Sequence, residues 1–378
     1  MNHEFELGPI RPPSEAQSIL LRVTRNCPWN QCTFCHTYRD ERFSRRALDE
    51  VLRDIDSIHA IAQRIREAAA APGAGGRITE AVVATAMASD PTPAHYYRQV
   101  AFWMLQGMKS LFLQDANSLI LATGDLVAIL ARANERFPGL ERITTYARAK
   151  TVAKKSLAEM KELRAAGLSR IHIGMESGSD RILELIKKGV TAHEQIVAGR
   201  NAIEAGFDLS EYYMPGVGGR DLMEENAIES ARVVNAINPT FVRIRSTVPI
   251  PGTGLYDCMS EGAWRVTTEV ERVRELRLFI ERLEGVTSRL LSDHIMNLLE
   301  DVEGALPDDK DAMLATIDSF LGMADDDRES FIIGRRLGRY RGVKDFYRDP
   351  EIESVKREIK SRYASVDEAI LEILKNYI

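Results

Sequence analysis

The sequence predicts an α/β fold, a partial (β/α)6 barrel similar to a TIM barrel, followed by a C-terminal helical extension. From residue 109, short apolar runs alternate with amphipathic segments of helical period, and the connections between them are short. This alternation is typical of parallel strands joined by crossover helices. Residues 1–285 are predicted to form the barrel, with a helical insertion at about 70–107, and residues 286–378 a helical capping region.

The first strand is predicted over residues 18–24, SILLRVT, because the run is apolar and rich in β-formers. A long helix is predicted over 45–70, and the glycines of PGAGG at 72–76 end it. Residues 78–107 are predicted to be helical, with a new helix beginning around Asp90, Pro91 and Pro93.

The later elements alternate between strands and helices, except that two helices follow each other before the fifth strand. Strands are predicted at 110–115, 142–147, 170–177, 208–216 and 240–250, and helices at 125–137, 156–167, 180–189, 193–207, 224–237 and 268–284. With the first strand this makes six strands. The segment after residue 286 is predicted to be helical and polar.

Composition and charge exclude several classes of protein. The chain of 378 residues is 44% hydrophobic and 28% charged, which excludes a disordered, collagen-like or coiled-coil protein. Its net charge of -6 argues against a dedicated nucleic-acid binder and leaves room for a local basic patch. No apolar stretch approaches the roughly 20 residues that span a bilayer, and the N-terminus lacks the apolar core of a signal peptide. We therefore expect a cytoplasmic protein without a membrane partner.

The cysteines carry the strongest chemical signal. Cys27, Cys32 and Cys35 lie within the nine residues CPWNQCTFC, and Cys258 stands apart. The spacing C-x4-C-x2-C suits a metal site with three protein ligands. A closed zinc site needs a fourth ligand, and His36 follows Cys35 too closely to bind the same metal comfortably. Three thiolates on a cubane iron–sulfur cluster instead leave one iron open. Structural zinc and a chance grouping of reduced core cysteines are the alternatives.

Polar residues and glycines also follow the predicted strands. The set comprises Gln114, Asp115, Asn117 and Ser118 after the second strand, Tyr146 and Arg148 after the third, Glu176, Ser177 and Gly178 after the fourth, residues 215–219 after the fifth, and Arg243, Arg245 and residues 251–256 after the sixth. Strand-to-helix loops are commonly polar and capped, which explains any one of them. Six such loops in phase with the cysteine loop favour a site at the carboxyl ends of the strands.

The loop CPWNQCTFC after a first strand resembles the cluster loop of the radical S-adenosylmethionine (SAM) superfamily. The usual spacing there is C-x3-C-x2-C with an aromatic residue before the last cysteine, and Phe34 holds that place. One extra residue separates Cys27 from Cys32. Over about residues 18–285 the resemblance extends to a branch of "Fe–S oxidoreductase" proteins, through FLQDANSLI, TYARAK, LRAAGLSRIHIGMESGSD, KKG, EAGFDLSEYYMPGVGG and RIRSTVPIPGTGLYD.

The resemblance implies cofactors and site residues. Cys27, Cys32 and Cys35 would bind a [4Fe–4S] cluster whose open iron chelates the methionine moiety of SAM. Further cofactor-binding candidates are Phe34 beside the adenine, Asp115 and Asn117 at the methionine ammonium, Arg148 at the SAM carboxylate or the substrate, Glu176 and Ser177 near the ribose, and Gly216 and Gly218 where the backbone approaches the adenine. The family often has Gly-Gly-Glu where this chain has Gln114-Asp115-Ala116-Asn117. The alternatives are a helix N-cap for Asp115 and an arginine partner for Glu176.

The resemblance also implies a reaction: reductive cleavage of SAM and hydrogen abstraction from an unidentified small or medium organic substrate. An external low-potential electron donor of the flavodoxin or ferredoxin type is expected. Methylthiolation usually draws on a second cluster, for which only Cys258 is left, and the residues before the first strand are too few for a cobalamin domain. Hydrogen abstraction followed by rearrangement, lysis, oxidation or epimerisation remains.

Other functions stay open at this point. A macromolecular substrate would use the arginines of GRRLGRYRG, residues 334–342, as an RNA docking surface, unless they form a solvated face paired with DDDRE at 325–329. Arg243 and Arg245 share one face of their strand and either clamp an anion or point outward. A non-enzymatic Fe–S protein for electron transfer or sensing is the third possibility.

Overall fold

The computed structural model describes residues 2–9 and 11–375, which divide into two compact units. The first is drawn from Met1–Pro28, Asp40–His172 and Glu204–Asp208, and the second from Trp29–Arg39, Ile173–Ile203 and Leu209–Ile378. None of the described helices is long and apolar enough to cross a membrane.

The strands of the first unit form a mostly buried parallel sheet and a separate short antiparallel pair. They are β1 (Ile19–Arg22), β2 (Thr24–Arg25), β3 (Ser44–Arg45), β4 (Ser110–Gln114), β5 (Arg142–Ala147) and the first part of β6 (Leu168–Glu176). In the sheet the order is β1, β4, β5, β6, while β2 and β3 form a separate antiparallel pair. Leu21 lies opposite Leu113 in register, and both are buried, as expected of parallel strands covered on both faces.

The helices of the first unit are amphipathic. They are α1 (Leu48–Ala70), α2 (Glu80–Met87), α3 (Ala94–Leu105), α4 (Thr123–Arg136), α5 (Ala149–Lys154) and α6 (Leu157–Ala165). On α1 the residues Val51, Ile55, Ile58, Ala62 and Ile65 recur at helical spacing and are all buried, which is why this charged segment is a helix with one apolar stripe.

The second unit continues the alternation. Its strands are the rest of β6, then β7 (Asp208–Tyr213), β8 (Phe241–Ile244), β9 (Arg289–Leu291) and β10 (Gly304–Ala305), in that order in the sheet. Strands β7, β8 and β9 are parallel and β10 is antiparallel to β9. Its helices are α7 (Asp180–Leu185), α8 (Ala192–Glu204), α9 (Met223–Ile237), α10 (Gly254–Ser260), α11 (Glu269–Glu281), α12 (Lys310–Leu321), α13 (Asp325–Arg336), α14 (Pro350–Arg362) and α15 (Val366–Leu374).

The predicted α/β class is confirmed. In each unit the neighbouring main strands of the sheet follow one another along the chain, which is the winding of a (β/α) barrel rather than of a doubly wound sheet. Several details of the prediction are wrong. The fifth strand ends at Tyr213 rather than at residue 216, and the helix predicted over 180–189 ends at Leu185. The sixth strand ends at Ile244 rather than at residue 250, where Pro249 and Pro251 cannot donate to a ladder. The segment after residue 286 begins with the short strands β9 and β10, although helices make up most of it. The domain division at residue 285 stays a prediction.

Candidate functional site

The part of the cysteine loop in the second unit is docked on the segment that follows α7. The Trp29 indole N–H donates to the carbonyl of Lys187 at 2.7 Å, and the Thr33 backbone N–H donates to the carbonyl of Ile186 at 3.0 Å. Gly189 has a φ of +68°, and a Cβ there would stand 2.3 Å from Cζ2 of Trp29. A glycine is therefore required both by the backbone and by the indole ring that covers it.

All four cysteines, Cys27, Cys32, Cys35 and Cys258, are half-buried. The backbone N–H of Cys35 donates to the carbonyl of Cys32 at 3.2 Å, which closes a turn between the two thiols. Within residues 2–9 and 11–375, no three His, Cys, Asp or Glu side chains group closely enough to hold a metal ion in this structure. As a donor set, three accessible thiols in one loop fit an iron–sulfur cluster, whose ligands are thiolates.

Glu176, at the end of β6, forms an ion pair that brings it close to the cysteine loop. Nζ of Lys188 lies 2.8 Å from Oε1 of Glu176 and 5.7 Å from the centroid of the Phe34 ring. Glu176 has a φ of 64°, and a Cβ on Gly174 would meet its Oε1 at 2.1 Å. The alternative of an arginine partner for Glu176 is wrong, because the partner is Lys188. Sequence reasoning noted KKG but did not assign Lys188 a role.

Ser177 is fully buried, and its hydroxyl serves the turn that leads into α7. The hydroxyl oxygen of Ser177 accepts the backbone N–H of Ser179 at 3.1 Å. Between these two residues, the backbone N–H of Gly178 donates to Oγ of Ser230 at 2.8 Å. A Cβ on Gly178 would stand 2.2 Å from the carbonyl oxygen of Glu229. This tight packing accounts for the Ser-Gly pair after Glu176, whether or not a cofactor is bound.

Asp115 is completely buried in the first unit and is not a helix N-cap. Its Oδ2 accepts from Arg22, with Nη2 at 2.8 Å, and from the backbone N–H of Asn26 at 2.9 Å. Asn26 directly precedes Cys27 and has a φ of 67°. Oδ1 of Asp115 has no hydrogen-bond partner in the described part of the chain, and Gly8 packs against it. Asp115 thus fixes the entry to the cysteine loop and retains one unused acceptor.

Asn117 joins the end of β4 to the start of α5. Its Nδ2 donates to Oγ1 of Thr151 at 2.9 Å, and its Oδ1 accepts the backbone N–H of Arg148 at 3.1 Å. Arg148 occupies the N-cap position of α5 and its side chain is half-buried. Asn117 is itself buried, so it holds Arg148 in place rather than presenting its own amide.

Gly216 is held by a buried carboxylate that sequence reasoning missed. Its backbone N–H donates to Oε2 of Glu275 at 2.8 Å, and Oε1 of the same carboxylate accepts from Tyr213 at 2.9 Å and from Asn226 at 2.6 Å. Burial raises the pKa of Glu275 to about 7, against the lowering effect of these three donors. No motif marks Glu275, because it lies in α11, some sixty residues from Gly216.

The two candidate glycines after β7 are required by packing within the protein. Gly216 has a φ of +85°, and a Cβ there would stand 2.8 Å from Oγ1 of Thr267. A Cβ on Gly218 would stand 2.9 Å from Cδ1 of Ile182. The approach of these two glycines to an adenine stays a prediction.

The arginines of residues 334–342 are mostly paired inside the protein. The pairs are Arg335 with Glu300, Arg336 with Glu269, and Arg339 with Glu351. Arg335 and Arg336 are buried. The predicted pairing with residues 325–329 is therefore wrong, whereas a docking role stays a prediction, since Arg339 and Arg341 are exposed.

No family model matches the sequence. Among curated proteins, the chain is similar to the tRNA uridine(34) acetyltransferase of Methanocaldococcus jannaschii, with 27% identity over 116 residues, which are 30% of this chain and 21% of that protein. It is also similar to a tRNA-2-methylthio-N(6)-dimethylallyladenosine synthase of Neisseria meningitidis, with 29% identity over 204 residues, 51% of this chain and 44% of that protein. The matches thus span less than half the length of either relative.

Two solved structures are among those to which the chain is similar. Methylornithine synthase shares 17% identity with a TM-score of 0.42, covering 89% of this chain and 85% of that chain. The cobalamin-dependent S-adenosylmethionine radical enzyme OxsB shares 15% identity with a TM-score of 0.45, covering 96% and 54%. The names of both relatives mention tRNA, which weakens the argument from charge against a nucleic-acid partner.

Proposed function

We propose that this chain is a radical SAM enzyme in which Cys27, Cys32 and Cys35 hold a [4Fe–4S] cluster and SAM binds at the iron that no cysteine occupies. When bound, the cluster supplies the electron that cleaves the sulfonium of SAM, and the 5′-deoxyadenosyl radical abstracts hydrogen from an organic substrate. The observation that carries the proposal is the convergence of Phe34, Lys188 and Glu176, which brings the cysteine loop against an ion pair at the end of β6.

This ion pair has the charges that a zwitterionic cofactor needs. SAM carries a carboxylate and an ammonium on its methionine moiety and hydroxyls on its ribose. The Lys188 ammonium can bind the carboxylate, and the Glu176 carboxylate can accept from the ribose hydroxyls. The two side chains satisfy each other at 2.8 Å, so neither charge is left unpaired before the cofactor arrives. Phe34 offers an apolar ring next to them for the adenine.

For the methionine ammonium, the proposed ligand is Asp115. Its unused oxygen Oδ1 is buried, and an acceptor without a donor is costly unless a ligand supplies one. A cationic ammonium is the appropriate donor for a carboxylate. Its other oxygen, bonded to Arg22 and to the N–H of Asn26, sets the position of the residue before Cys27.

For the substrate we propose a small or medium organic molecule, with an electron donor of the flavodoxin or ferredoxin type. The second candidate is an RNA, and the observation that favours it is the naming of both relatives for tRNA modification. The burial and pairing of Arg335 and Arg336 take two of the four arginines at 334–342 out of the surface proposed for that role.

The proposal is tested by reconstituting the protein with iron and sulfide under anaerobic conditions. We expect about four iron atoms and four sulfides per chain, and an electron paramagnetic resonance signal after reduction that changes when SAM is added. Cys32→Ala should lose most of the iron, whereas the matched Cys258→Ala should retain it. Equal iron in both variants, or a signal that SAM leaves unchanged, would contradict the assignment. Zinc in place of iron would indicate the structural-zinc alternative.

A further inference from the structure

The two arginines on β8 and just after it have different surroundings. Arg243 is buried, and its Nη1 lies 2.7 Å from Oδ2 of Asp293, while its Nε donates to Oγ of Ser210 at 3.1 Å. The guanidinium of Arg243 is therefore already paired with a carboxylate, that of Asp293. An anion clamp made by both arginines, which the sequence left open, is not formed.

Arg245 lies on the same face as Arg243 and has no partner for its charge. Its backbone N–H donates to the carbonyl of Tyr213 at 3.0 Å, which extends the β7–β8 ladder by one residue and sets the alternation of side chains. The side chain is half-buried. Within the described residues, its guanidinium forms neither an ion pair nor a hydrogen bond. A half-buried arginine without an acceptor in the protein can bind an acceptor on a ligand, because the planar guanidinium matches the geometry of oxyanions.

His294 supplies a second donor close to Arg245. Nδ1 of His294 accepts the backbone N–H of Met296 at 3.2 Å, which assigns the ring proton of the neutral imidazole to Nε2. Burial, with the nearby charge of Arg245, lowers the pKa of His294 to about 4, so the ring is neutral at pH 7. No described residue accepts the Nε2 proton.

Arg245 also lies near Glu176. The backbone N–H of Arg245 is bonded to the carbonyl of Tyr213, and the next residue, Met214, donates its backbone N–H to the carbonyl of Glu176 at 2.9 Å. The acidic group nearest in sequence to His294 is Asp293, which Arg243 already neutralises. Arg245 and His294 thus present a guanidinium and a neutral N–H donor, and the nearby carboxylate of Asp293 is paired with Arg243.

We infer that Arg245 and the Nε2–H of His294 bind an anionic oxygen group, a carboxylate or a phosphate, on the substrate. The inference rests on the proposed function, because it assigns Arg245 and His294 to binding the substrate of the proposed radical SAM enzyme. The inference narrows the possible substrates to organic acids and phosphate esters. The fork of Arg245 gives two parallel hydrogen bonds to two oxygens, and His294 gives a third donor.

The test is chemical labelling, which needs no turnover. Phenylglyoxal reacts with accessible guanidiniums that lack a partner, and mass spectrometry of the digested wild-type protein reports each arginine separately. We expect Arg245 to react many times faster than Arg243, the matched control on the same strand. Millimolar phosphate or succinate should slow the labelling of Arg245 several-fold relative to potassium chloride at the same ionic strength. Labelling of Arg245 no faster than that of Arg243, or no protection beyond that of chloride, would overturn the inference.

Two further arms identify the source of the anion. If SAM alone protects Arg245 as well as phosphate does, the site binds the carboxylate of the cofactor and the assignment to the substrate is wrong. His294→Phe should weaken protection by phosphate while Arg245 still reacts, whereas unchanged protection would remove His294 from the site. Because labelling does not depend on SAM cleavage, failure of this inference and failure of the proposed function give different results.

Discussion

Glu275 offers a stringent test of the structure, because it is a buried carboxylate on which the turn at Gly216 depends. It is almost wholly buried and accepts hydrogen bonds from Tyr213, Asn226 and the backbone of Gly216. Glu275→Gln keeps the size of the side chain but removes the ionisable group. The variant therefore isolates the contribution of this one charge to the free energy of unfolding.

The size and sign of the effect follow from the pKa. Burial raises the pKa of Glu275 from the ordinary value of 4.5 to about 7 in the folded protein. Between these two values the folded state binds a proton that the unfolded state has released, so stability falls as the pH rises through this window. At 1.36 kcal/mol for each pKa unit, the complete loss is about 3 kcal/mol. The glutamine variant has no such loss, although its amide opposes one of the donors and costs about 1 kcal/mol at all pH values.

Urea unfolding measures this difference. Wild type and Glu275→Gln are unfolded at several pH values between about 5 and 8, with tryptophan fluorescence as the signal. Relative to the variant, wild type should lose about 2 to 3 kcal/mol across that range. Glu261→Gln, a change at an exposed position in the same unit, is the control and should follow wild type. Parallel pH profiles for wild type and Glu275→Gln would refute the argument that burial dominates the three hydrogen bonds.

Two further predictions concern the docking of the cysteine loop. Lys188→Met should weaken SAM binding by roughly tenfold or more, because the variant loses a charge-assisted hydrogen bond. Lys187→Met, at the exposed neighbouring position, should not weaken it. Equal affinities of the two variants, measured by calorimetry, would remove Lys188 from the site. Gly189→Ala and Gly252→Ala both place a side chain at positive φ, but only the first meets a neighbour, Trp29, so only the first should reduce iron retention after reconstitution. Equal iron retention in the two glycine variants would show that the contact with the indole does not hold the loop.

Much of the fold could be predicted from the sequence, because its signals are local. Each main strand is an apolar run, and each helix has a stripe at helical spacing, such as the one that begins at Val51 on α1. Strands β9 and β10 were missed since three and two residues are too few for any alternation to be seen. They exist because β8 offers an open edge with which β9 pairs, a tertiary effect.

The site was predicted less completely, because its partners are distant in sequence. Asp115 was correctly singled out as a polar residue at a strand end, yet its ion pair with Arg22 joins residues 93 apart. The lysine beside Glu176 lies twelve residues further on, across α7. Glu275 carries no sequence signal, since a glutamate in an amphipathic helix normally faces solvent. Only three-dimensional packing turns such residues inward.

The central claim is that the three-cysteine loop makes this chain a SAM-cleaving enzyme. The most direct test is the amount of 5′-deoxyadenosine formed, measured by chromatography, after anaerobic reconstitution, reduction with dithionite and addition of SAM. We predict that wild type and Cys258→Ala form 5′-deoxyadenosine and that Cys32→Ala forms none. A fully loaded, reducible wild-type cluster that yields no 5′-deoxyadenosine would contradict the account and indicate an electron-transfer or sensing protein.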